Sequence, residues 1–295
     1  MQENLFVAGH TACPGCGQAI AARLVMNAAG KNTIATNATG CLEVFSTGFP
    51  HTSWKIAWIH SLFENSAAVA SGIEAALRHL GRKENINVIA QGGDGGTADI
   101  GLQALSGMLE RGHDVLYVMY DNEAYMNTGI QRSGMTPPFS NTTTSPPGKY
   151  SLGNPRPKKP MVEICAAHGI PYSASTSVGY FRDVEKKVKK ALSIKGPKFL
   201  HIFVPCPLGW RHSSSQTLEI AKLVVETGLF PVVEYEDGRL TNVMRFKELK
   251  PVEEFLKLQG RFKHLMKDSP EVKSAIEFLN QVVKYNIEKY ELIKK

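Results

Sequence analysis

The chain contains 295 residues, of which 43% are apolar and 21% charged, with a formal net charge of +7 at pH 7. This length and composition exclude a disordered chain and predict a globular protein with a sizeable core. No apolar run approaches the roughly 18 to 20 residues that a membrane span requires. The opening residues MQENLFVAGH lack the basic and apolar segments of a leader peptide, and we therefore expect a cytoplasmic protein that does not bind a membrane.

The basic residues and the cysteines narrow the range of partners. Lys and Arg concentrate in helix-like segments such as DVEKKVKKAL (183–192), where a solvated face is the usual explanation, so we do not expect nucleic acid. An acidic protein partner or a polyanionic cofactor fits the charge better. The five cysteines make a poor disulfide framework and suit a reducing compartment, where thiolates serve as ligands.

Predicted helices and strands alternate through the first part of the chain. Helix formers and small residues predict helices over 17–29, 64–80 and 97–112, and apolar runs predict strands over 33–41, 85–91 and 114–120. The second strand runs into GGDGG (92–96) and the third into DNEAYMNTG (121–129). Such alternation predicts an α/β fold, with a parallel sheet between two helical layers and ligands at the carboxyl ends of the strands.

A long loop rich in Pro, Ser and Thr, residues 134–160, interrupts this alternation. A loop of that length is a functional segment, a partner contact or a flexible insertion. Beyond it we predict helices over 161–169, 181–194 and 216–228, strands over 170–175 and 198–206, and a hairpin over 230–246 that turns at Asp237 and Gly238. Residues 251–295 predict charged amphipathic helices.

The turn GGDGG places Asp94 where a strand hands over to a helix. Glycines let backbone N–H groups approach a diphosphate, the following helix start favours negative charge, and the carboxylate suits a Mg²⁺ ion that bridges phosphate oxygens. Glycine turns after strands are also common for steric reasons alone. Asn122 follows 28 residues later at the end of the next strand, so both side chains belong at the same edge of the sheet. The Asp94 carboxylate, the Asn122 amide oxygen and a carbonyl near Ala124 then supply three oxygens for a hard cation.

The segment from Gly93 to Gly129 resembles the thiamine diphosphate motif, which opens on Gly-Asp-Gly and closes on Asn about 28 residues later. The version YDNEAYMNTGIQRSG (120–134) resembles the β subunit of 2-oxoacid:ferredoxin oxidoreductases, in particular of the pyruvate synthase type, and the resemblance covers roughly residues 8–260. It implies a thiamine diphosphate-binding fold over residues 1–230. Residues 231–295 then form a hairpin and C-terminal helical extension packed on the same domain or on a partner subunit.

The resemblance implies specific contacts to thiamine diphosphate and Mg²⁺. The Mg²⁺ ligands are the side chains of Asp94 and Asn122 and the backbone of Ala124. The catalytic positions near the reactive ring of the cofactor are Asn127 and Thr128. The full set of implied cofactor contacts is Gly93, Asp94, Gly95, Gly96, Asn122, Ala124, Tyr125, Asn127, Thr128, Phe63 and Cys41. SLFENSAAVASG (61–72) also resembles a pocket-lining segment, with Glu64 and Asn65 as polar neighbours or as ordinary interface residues.

Four cysteines lie in turns at the ends of elements, each beside or one residue away from Gly or Pro: Cys13, Cys16, Cys41 and Cys206. From the residues alone, a four-thiolate zinc site and an iron–sulfur cluster fit equally, whereas a catalytic dithiol leaves two of the four unexplained. The family resemblance implies one [4Fe–4S] cluster held by these four. Cys165 lies in the helix-like MVEICAAHG (161–169) and is expected to be a buried structural thiol.

The implied reaction is reversible oxidative decarboxylation of pyruvate to acetyl-CoA and CO₂, with coenzyme A as co-substrate and electrons passing through the cluster to ferredoxin. The loop TPPFSNTTTSPPG (136–148) departs from the family pattern, which leaves oxalate, a glyoxylate-like acid or a branched 2-oxoacid open. Arg132, Ser133 and Thr136 face substrate or coenzyme A, or serve in a surface loop. A non-redox thiamine decarboxylase and an electron-transfer scaffold without thiamine remain competing interpretations.

Two expected parts of such an enzyme are not evident in this sequence. The resemblance implies a glutamate on the pyrimidine ring of the cofactor, supplied by a second, facing domain, and the single thiamine segment here does not supply it. A Cys-x₂-Cys-x₂-Cys-x₃-Cys run that would carry electrons onward is also missing. We therefore expect partner subunits, one with the glutamate and one with ferredoxin-like clusters.

Overall fold

The computed structural model describes residues 3–294, and ten short segments of this range form strands. In chain order the strands are β1 (Thr33–Ala38), β2 (Ala57–Ser61), β3 (Asn87–Gly93), β4 (Leu116–Asp121), β5 (Pro147–Gly148), β6 (Ser151–Leu152), β7 (Tyr172–Ser177), β8 (Lys198–Phe203), β9 (Val233–Glu236) and β10 (Arg239–Val243). Eight of them make one sheet in the order β10-β9-β7-β8-β4-β3-β1-β2, and β5 pairs with β6 separately.

The six strands from β7 to β2 in this order are parallel. The central strand β4 is buried along its whole length, with Leu116, Val118 and Tyr120 in one apolar cluster and Tyr117 and Met119 in another. Burial on both faces is the usual state of parallel strands, because their crossover helices cover both sides. Because β4, β3 and β1 are neighbouring parallel strands, their carboxyl ends lie side by side at one edge of the sheet.

Ten α-helices cover the sheet within residues 3–294. They are α1 (Gly17–Ala29), α2 (Cys41–Ser46), α3 (Ser66–His79), α4 (Leu102–Glu110), α5 (Met161–Ala166), α6 (Phe181–Ser193), α7 (Pro207–Trp210), α8 (Thr217–Glu226), α9 (Val252–Leu256) and α10 (Pro270–Tyr290). α1 and α6 cover one face, and α3, α4 and α5 cover the other. α8, α9, α10 and the 3₁₀ turn Gly260–Met266 share a third apolar cluster. None of these helices is long and apolar enough to cross a bilayer.

The predicted α/β architecture, a parallel sheet with helices on both faces followed by C-terminal helices, is confirmed. The predicted hairpin is present, but its role in the sheet is new. β9 pairs antiparallel with β7, and β10 pairs antiparallel with β9, so the hairpin extends the parallel sheet into a mixed one. The hairpin that begins the 231–295 extension is thus continuous with the preceding sheet.

The sequence reasoning missed β2, α2 and α7. Three of the five β2 residues are exposed, because β2 is an edge strand, and it therefore lacks the apolar run that revealed the buried strands. α2 and α7 span six and four residues, too few to show a helical period. Cys41 begins α2, and Cys206 is the N-cap of α7.

Candidate cofactor site

A cavity of about 280 Å³ opens where β1, β3 and β4 end. Its wall combines three segments. They are the connection between β1 and α2, the segment GGDGG (92–96), here called the glycine turn, and the segment DNEAYMNTG (121–129), here called the asparagine turn. Every residue that the resemblance assigns to cofactor contact lines this cavity: Gly93, Asp94, Gly95, Gly96, Asn122, Ala124, Tyr125, Asn127, Thr128, Phe63 and Cys41. Chain segments far apart in sequence therefore meet at one point, as expected for the carboxyl edge of a parallel sheet.

The glycine turn presents bare backbone to the cavity. β3 ends at Gly93, and Asp94 leads into a π-helical turn, Gly95–Asp99, which continues towards α4. A Cβ atom on Gly95 would lie only 2.3 Å from the Tyr125 ring, so no larger residue fits there. The start of a helix without side chains in front of it favours the close approach of phosphate oxygens.

Three oxygen-bearing groups converge where a cation is expected. One terminal atom of the Asn122 amide lies 3.0 Å from Asp94 Oδ1 and 2.9 Å from the carbonyl oxygen of Ala124. Without an ion, the amide nitrogen fits this position, because it donates to both oxygens. Neighbouring ligands of an octahedral Mg²⁺, each about 2.1 Å from the ion, are about 2.9 Å apart. With the amide oxygen turned inward, the same spacing therefore suits a Mg²⁺ ion.

Asp94 is fully buried and is held by Ser133. The Ser133 hydroxyl donates to Asp94 Oδ2 at 2.5 Å, and the Ser133 backbone N–H donates to the Thr136 hydroxyl at 2.9 Å. Burial and the nearby Asp121 carboxylate raise the pKa of Asp94 well above its ordinary value, although the Ser133 hydrogen bond opposes this shift. A bound divalent cation would favour the ionised carboxylate.

Ser133 and Thr136 correct an expectation. Both were expected to face substrate or coenzyme A, or to lie in a surface loop, but both are buried and contact the two turns from behind. The Thr136 hydroxyl donates to the Glu123 carbonyl at 2.7 Å. Arg132 is half-buried, and its Nε donates to Asn154 Oδ1 at 3.0 Å. The start of the long loop thus supports the site rather than lining its cavity.

A buried charge network lies behind the asparagine turn. Asp121 accepts hydrogen bonds from Lys158 Nζ at 2.7 Å and contacts His201 Nε2 at 2.8 Å, and its Oδ1 accepts from the Glu123 backbone N–H. Burial alone would raise the pKa of Asp121, but Lys158 and His201 lower it to about 2. The Glu123 carboxylate pairs with Lys158 and with Arg261. The turn is therefore fixed by charges inside the protein.

The rim of the cavity carries the remaining predicted residues. Asn127 and Thr128 are exposed, and the Tyr125 and Phe63 rings lie 5.9 Å apart beside the glycine turn. The Tyr125 hydroxyl donates to Asp99 at 2.8 Å, which fixes the ring over Gly95. Glu64 and Asn65 stand just before α3 and do not line the cavity.

The four turn cysteines gather beside the cavity. Gly15 approaches the backbone of Ser214 so closely that a Cβ would lie 2.5 Å from its carbonyl oxygen, and Gly17 N–H donates to Pro205 O at 3.1 Å. These contacts bring the loop of Cys13 and Cys16 against the segment of Cys206. Within residues 3–294, no three His, Cys, Asp or Glu side chains already have the arrangement of a metal site.

Burial disfavours the thiolate form of Cys16 and Cys41 unless a bound cation stabilises it, and backbone N–H groups near the sulfur atom of Cys16 partly offset this effect. Burial and the neighbouring thiols raise the pKa of Cys41 to about 12. Burial also raises the pKa of Cys16 to about 11, although hydrogen bonds from the backbone N–H groups of Ala19 and Gln18 oppose this shift. Cys206 Sγ accepts a hydrogen bond from Gly209 N–H at 3.3 Å. N–H groups aimed at sulfur are typical surroundings of a cluster. Cys165 is fully buried in α5, in agreement with a structural thiol.

Several residues at the site were missed by the sequence reasoning. Asn37 and Gln18 line the cavity, and the Asn37 Oδ1 atom is buried without a hydrogen-bond partner. Lys158 and Arg261 reach the asparagine turn from positions 35 or more residues away from Glu123. No local spacing could reveal these contacts.

The family described as "Thiamine pyrophosphate enzyme, C-terminal TPP binding domain" matches residues 38–202, which contain both turns of the cavity. Curated relatives match nearly the whole chain. "Pyruvate synthase subunit PorB" of Methanosarcina barkeri is 56% identical over 98% of this chain and 98% of its own length. The protein of the same name from Methanocaldococcus jannaschii is 54% identical over 99% and 97%.

Two further comparisons bear on substrate and fold. "Ketoisovalerate oxidoreductase subunit VorB" of Pyrococcus abyssi is 49% identical over 100% of this chain and 93% of its own length. A solved 2-oxoglutarate:ferredoxin oxidoreductase from Magnetococcus marinus, with 2-oxoglutarate, coenzyme A and succinyl-CoA bound, has a TM-score of 0.59 at 22% identity. It covers 74% of this chain and 79% of its own chain, and at this identity the likeness concerns the fold.

Proposed function

We infer the function of this chain from its family. The chain belongs to the PorB family, the thiamine diphosphate-binding subunits of 2-oxoacid:ferredoxin oxidoreductases of the pyruvate synthase type. The proposed reaction is the reversible oxidative decarboxylation of pyruvate to acetyl-CoA and CO₂, with ferredoxin as electron acceptor. The observation that carries it is the convergence of the Asp94 carboxylate, the Asn122 side-chain amide and the Ala124 carbonyl in a cavity that Cys41 also lines.

The chain's residues would hold Mg²⁺ and the diphosphate of the cofactor. Asp94, Asn122 and the Ala124 carbonyl are the proposed Mg²⁺ ligands, and the backbone of Gly95 and Gly96 approaches the phosphates. Bound thiamine diphosphate supplies the carbon nucleophile and the electron sink that decarboxylation requires. The protein would orient the cofactor, and the exposed rim residues Asn127 and Thr128 are the proposed contacts near the reacting groups.

The cysteine group is the proposed exit for electrons. Cys13, Cys16, Cys41 and Cys206 are the proposed ligands of one [4Fe–4S] cluster. Cys41 lines the cavity as well, so the cluster would lie next to the cofactor. A zinc ion is the competing occupant of four thiolates, but it would leave the electrons of an oxidative decarboxylation without an acceptor.

Partner subunits complete the proposed enzyme in the cytoplasm. No glutamate lines the cavity within residues 3–294, so we assign the pyrimidine-side glutamate to a partner. Large apolar side chains flank the lining segments, with Leu62 64% and Ile100 55% exposed, and such side chains are typical of protein interfaces. A second partner with ferredoxin-like clusters would pass electrons to ferredoxin, and coenzyme A would accept the acyl group.

Pyruvate is the first choice of substrate, because relatives that are 54% and 56% identical over nearly the whole chain carry the name pyruvate synthase. A branched 2-oxoacid is the second candidate, since a ketoisovalerate oxidoreductase subunit is 49% identical over the whole chain. Steady-state rates with pyruvate, 2-oxoisovalerate, glyoxylate and oxalate, measured on one complex, would rank them. Faster turnover of 2-oxoisovalerate than of pyruvate would replace the first choice with the second.

The test of the proposal is anaerobic purification of the complex with its partner subunits, followed by analysis of iron, zinc and thiamine diphosphate. We expect thiamine diphosphate, iron in excess of what the partner subunits bind, and pyruvate-dependent, coenzyme A-dependent ferredoxin reduction. Zinc without iron in this chain would contradict the cluster. Thiamine diphosphate with full activity in a colourless, air-stable protein would favour a non-redox decarboxylase. A complex that contains clusters but no thiamine diphosphate would favour the electron-transfer scaffold.

A further inference from the structure

The asparagine turn is built on a residue with a costly backbone conformation. Glu123 has a φ of 65°, in the left-handed region that non-glycine residues rarely adopt. It stands between Asn122 and Ala124, so its backbone sets the directions of the Asn122 side chain and of the Ala124 carbonyl. Such a conformation persists only where surrounding contacts impose it.

Two cations, the buried Arg261 and the partly buried Lys158, hold the Glu123 carboxylate. Lys158 Nζ lies 2.6 Å from Oε1, and Arg261 Nη2 lies 2.5 Å from Oε2. The Glu123 and Arg261 side chains are each only 3% exposed. Removal of Arg261 would leave Oε2 of this buried carboxylate without its charged partner, while Lys158 remains at Oε1, and the loss of such a buried contact is more costly than the loss of a surface pair.

Arg261 also contacts a second support of the same turn. Its guanidinium carbon lies 3.7 Å from the centroid of the Trp210 ring, and Trp210 Nε1 donates to the Asn122 carbonyl at 2.8 Å. Arg261 Nε donates to Gln259 at 2.9 Å, which fixes the guanidinium plane for this stacking. One side chain from the C-terminal part of the fold therefore supports the turn at two points, the Asn122 carbonyl through Trp210 and the Glu123 carboxylate directly.

We propose that Arg261 is a positioning residue for the Mg²⁺–thiamine diphosphate site, because it holds Glu123 and Trp210 and thereby orients Asn122 and Ala124. The proposal depends on the proposed function in one respect, the occupancy of the cavity. It extends the site to a residue 138 positions away from Glu123, in a segment that no motif marks.

The test compares Arg261 variants in the anaerobically purified complex. The dissociation constant for thiamine diphosphate with saturating Mg²⁺ is measured by equilibrium dialysis and fluorescent detection of bound cofactor. We expect Arg261→Met to raise it about 10- to 100-fold, the usual effect of losing a group that orients a metal ligand. Turnover at saturating cofactor should change less than the affinity. Arg261→Lys should recover part of the affinity, because it keeps the ion pair but loses the flat stacking surface.

Arg245→Met is the matched control. Arg245 pairs with Glu291 at 3.6 Å on the surface of the C-terminal segment, with 40% of its side chain exposed, and its loss should leave the affinity unchanged. Wild-type affinity in Arg261→Met, or an equal loss in Arg245→Met, would overturn the proposal. If Arg261→Met does not assemble, Glu123→Gln decides instead, with weaker binding expected and wild-type affinity contradictory.

Asp94→Ala separates this inference from the proposed function. Retention of thiamine diphosphate in Asp94→Ala would refute the Mg²⁺ site itself. Loss of binding in Asp94→Ala, together with wild-type affinity in Arg261→Met, would refute only the role of Arg261. Loss in both, with recovery in Arg261→Lys, supports both.

Discussion

Side chains at the cavity owe their positions to partners from distant parts of the chain. Asp94 is held by Ser133, and the asparagine turn is held by Lys158 and Arg261. Because these contacts are buried or partly buried, their loss would affect the cavity more than the loss of a surface contact would. Cofactor affinity is therefore expected to depend on residues that do not touch the cofactor.

The cysteines offer a prediction at this scale, because the chain contains its own control. We expect Cys41→Ser to lower the iron content of this chain and the visible absorption of the complex, since Cys41 is a proposed cluster ligand. Cys165→Ala should leave both unchanged and cost on the order of 1 kcal/mol of unfolding free energy, because a small buried group is lost. Wild-type iron in Cys41→Ser would contradict the ligand assignment.

The sequence could predict the residues of the two turns, because their spacing follows from one strand–helix–strand unit. It could not predict Ser133 as a partner of Asp94, since a Ser in a polar loop has no distinguishing pattern. Nor could it predict the buried Lys187 of α6, which the charged run 183–192 suggested to be solvated, because its partners Asp183 and the Ser175 carbonyl fix it only in the folded chain.

At the scale of elements, the hairpin β9–β10 forms one edge of the sheet and contains Glu234, a buried carboxylate with a lowered pKa. Glu234 accepts hydrogen bonds from Tyr172 and Asn242 and pairs with Lys190 at 2.7 Å, while only 3% exposed. Burial alone would raise the pKa of Glu234, but Lys190, Asn242 and Tyr172 lower it from its ordinary value of 4.5 to about 2. The Glu234 carboxylate thus links the hairpin to Tyr172 of β7 and to Lys190 of α6.

Glu234→Gln is expected to lower the unfolding free energy at pH 7 by on the order of 2 kcal/mol. Since the pKa of Glu234 is lower in the folded chain, its stabilisation is complete above about pH 4.5 and disappears as the pH falls towards 2. The difference between wild type and variant should therefore shrink between pH 5 and pH 3, as measured by urea unfolding. Glu84→Gln, which breaks the exposed pair with Lys195, should have little effect at any pH.

Elements with strong local signals could be predicted well, and those defined by tertiary context could not. The predicted helix over 17–29 has the bounds of α1, because helix formers fill it and Gly30 ends it with a φ of 83°. The pairing of β9 with β7 depends on contacts across sixty residues of sequence, such as Ser173 with Tyr235, and no periodicity encodes it.

At the scale of the whole molecule, the cavity is an incomplete active site under the proposed function. Its lining contains no glutamate within residues 3–294, and large apolar side chains stand exposed next to it. We expect the isolated chain to be inactive and to bind thiamine diphosphate more weakly than the complex does. Titration calorimetry on both, with ferredoxin reduction as the activity readout, measures the difference. Full activity of the isolated chain would contradict the assignment of the glutamate to a partner.

Cys41 belongs both to the wall of the cavity and to the cysteine group, at the first residue of a helix that follows directly from β1. The proposed cluster and the proposed cofactor site would therefore meet at this residue, and their separation would not depend on a loop closing or a domain rotating. Under the proposed function, electron departure needs no conformational gate. Its rate should respond to driving force and be insensitive to solvent viscosity, whereas the entry of substrate and the docking of ferredoxin remain diffusive.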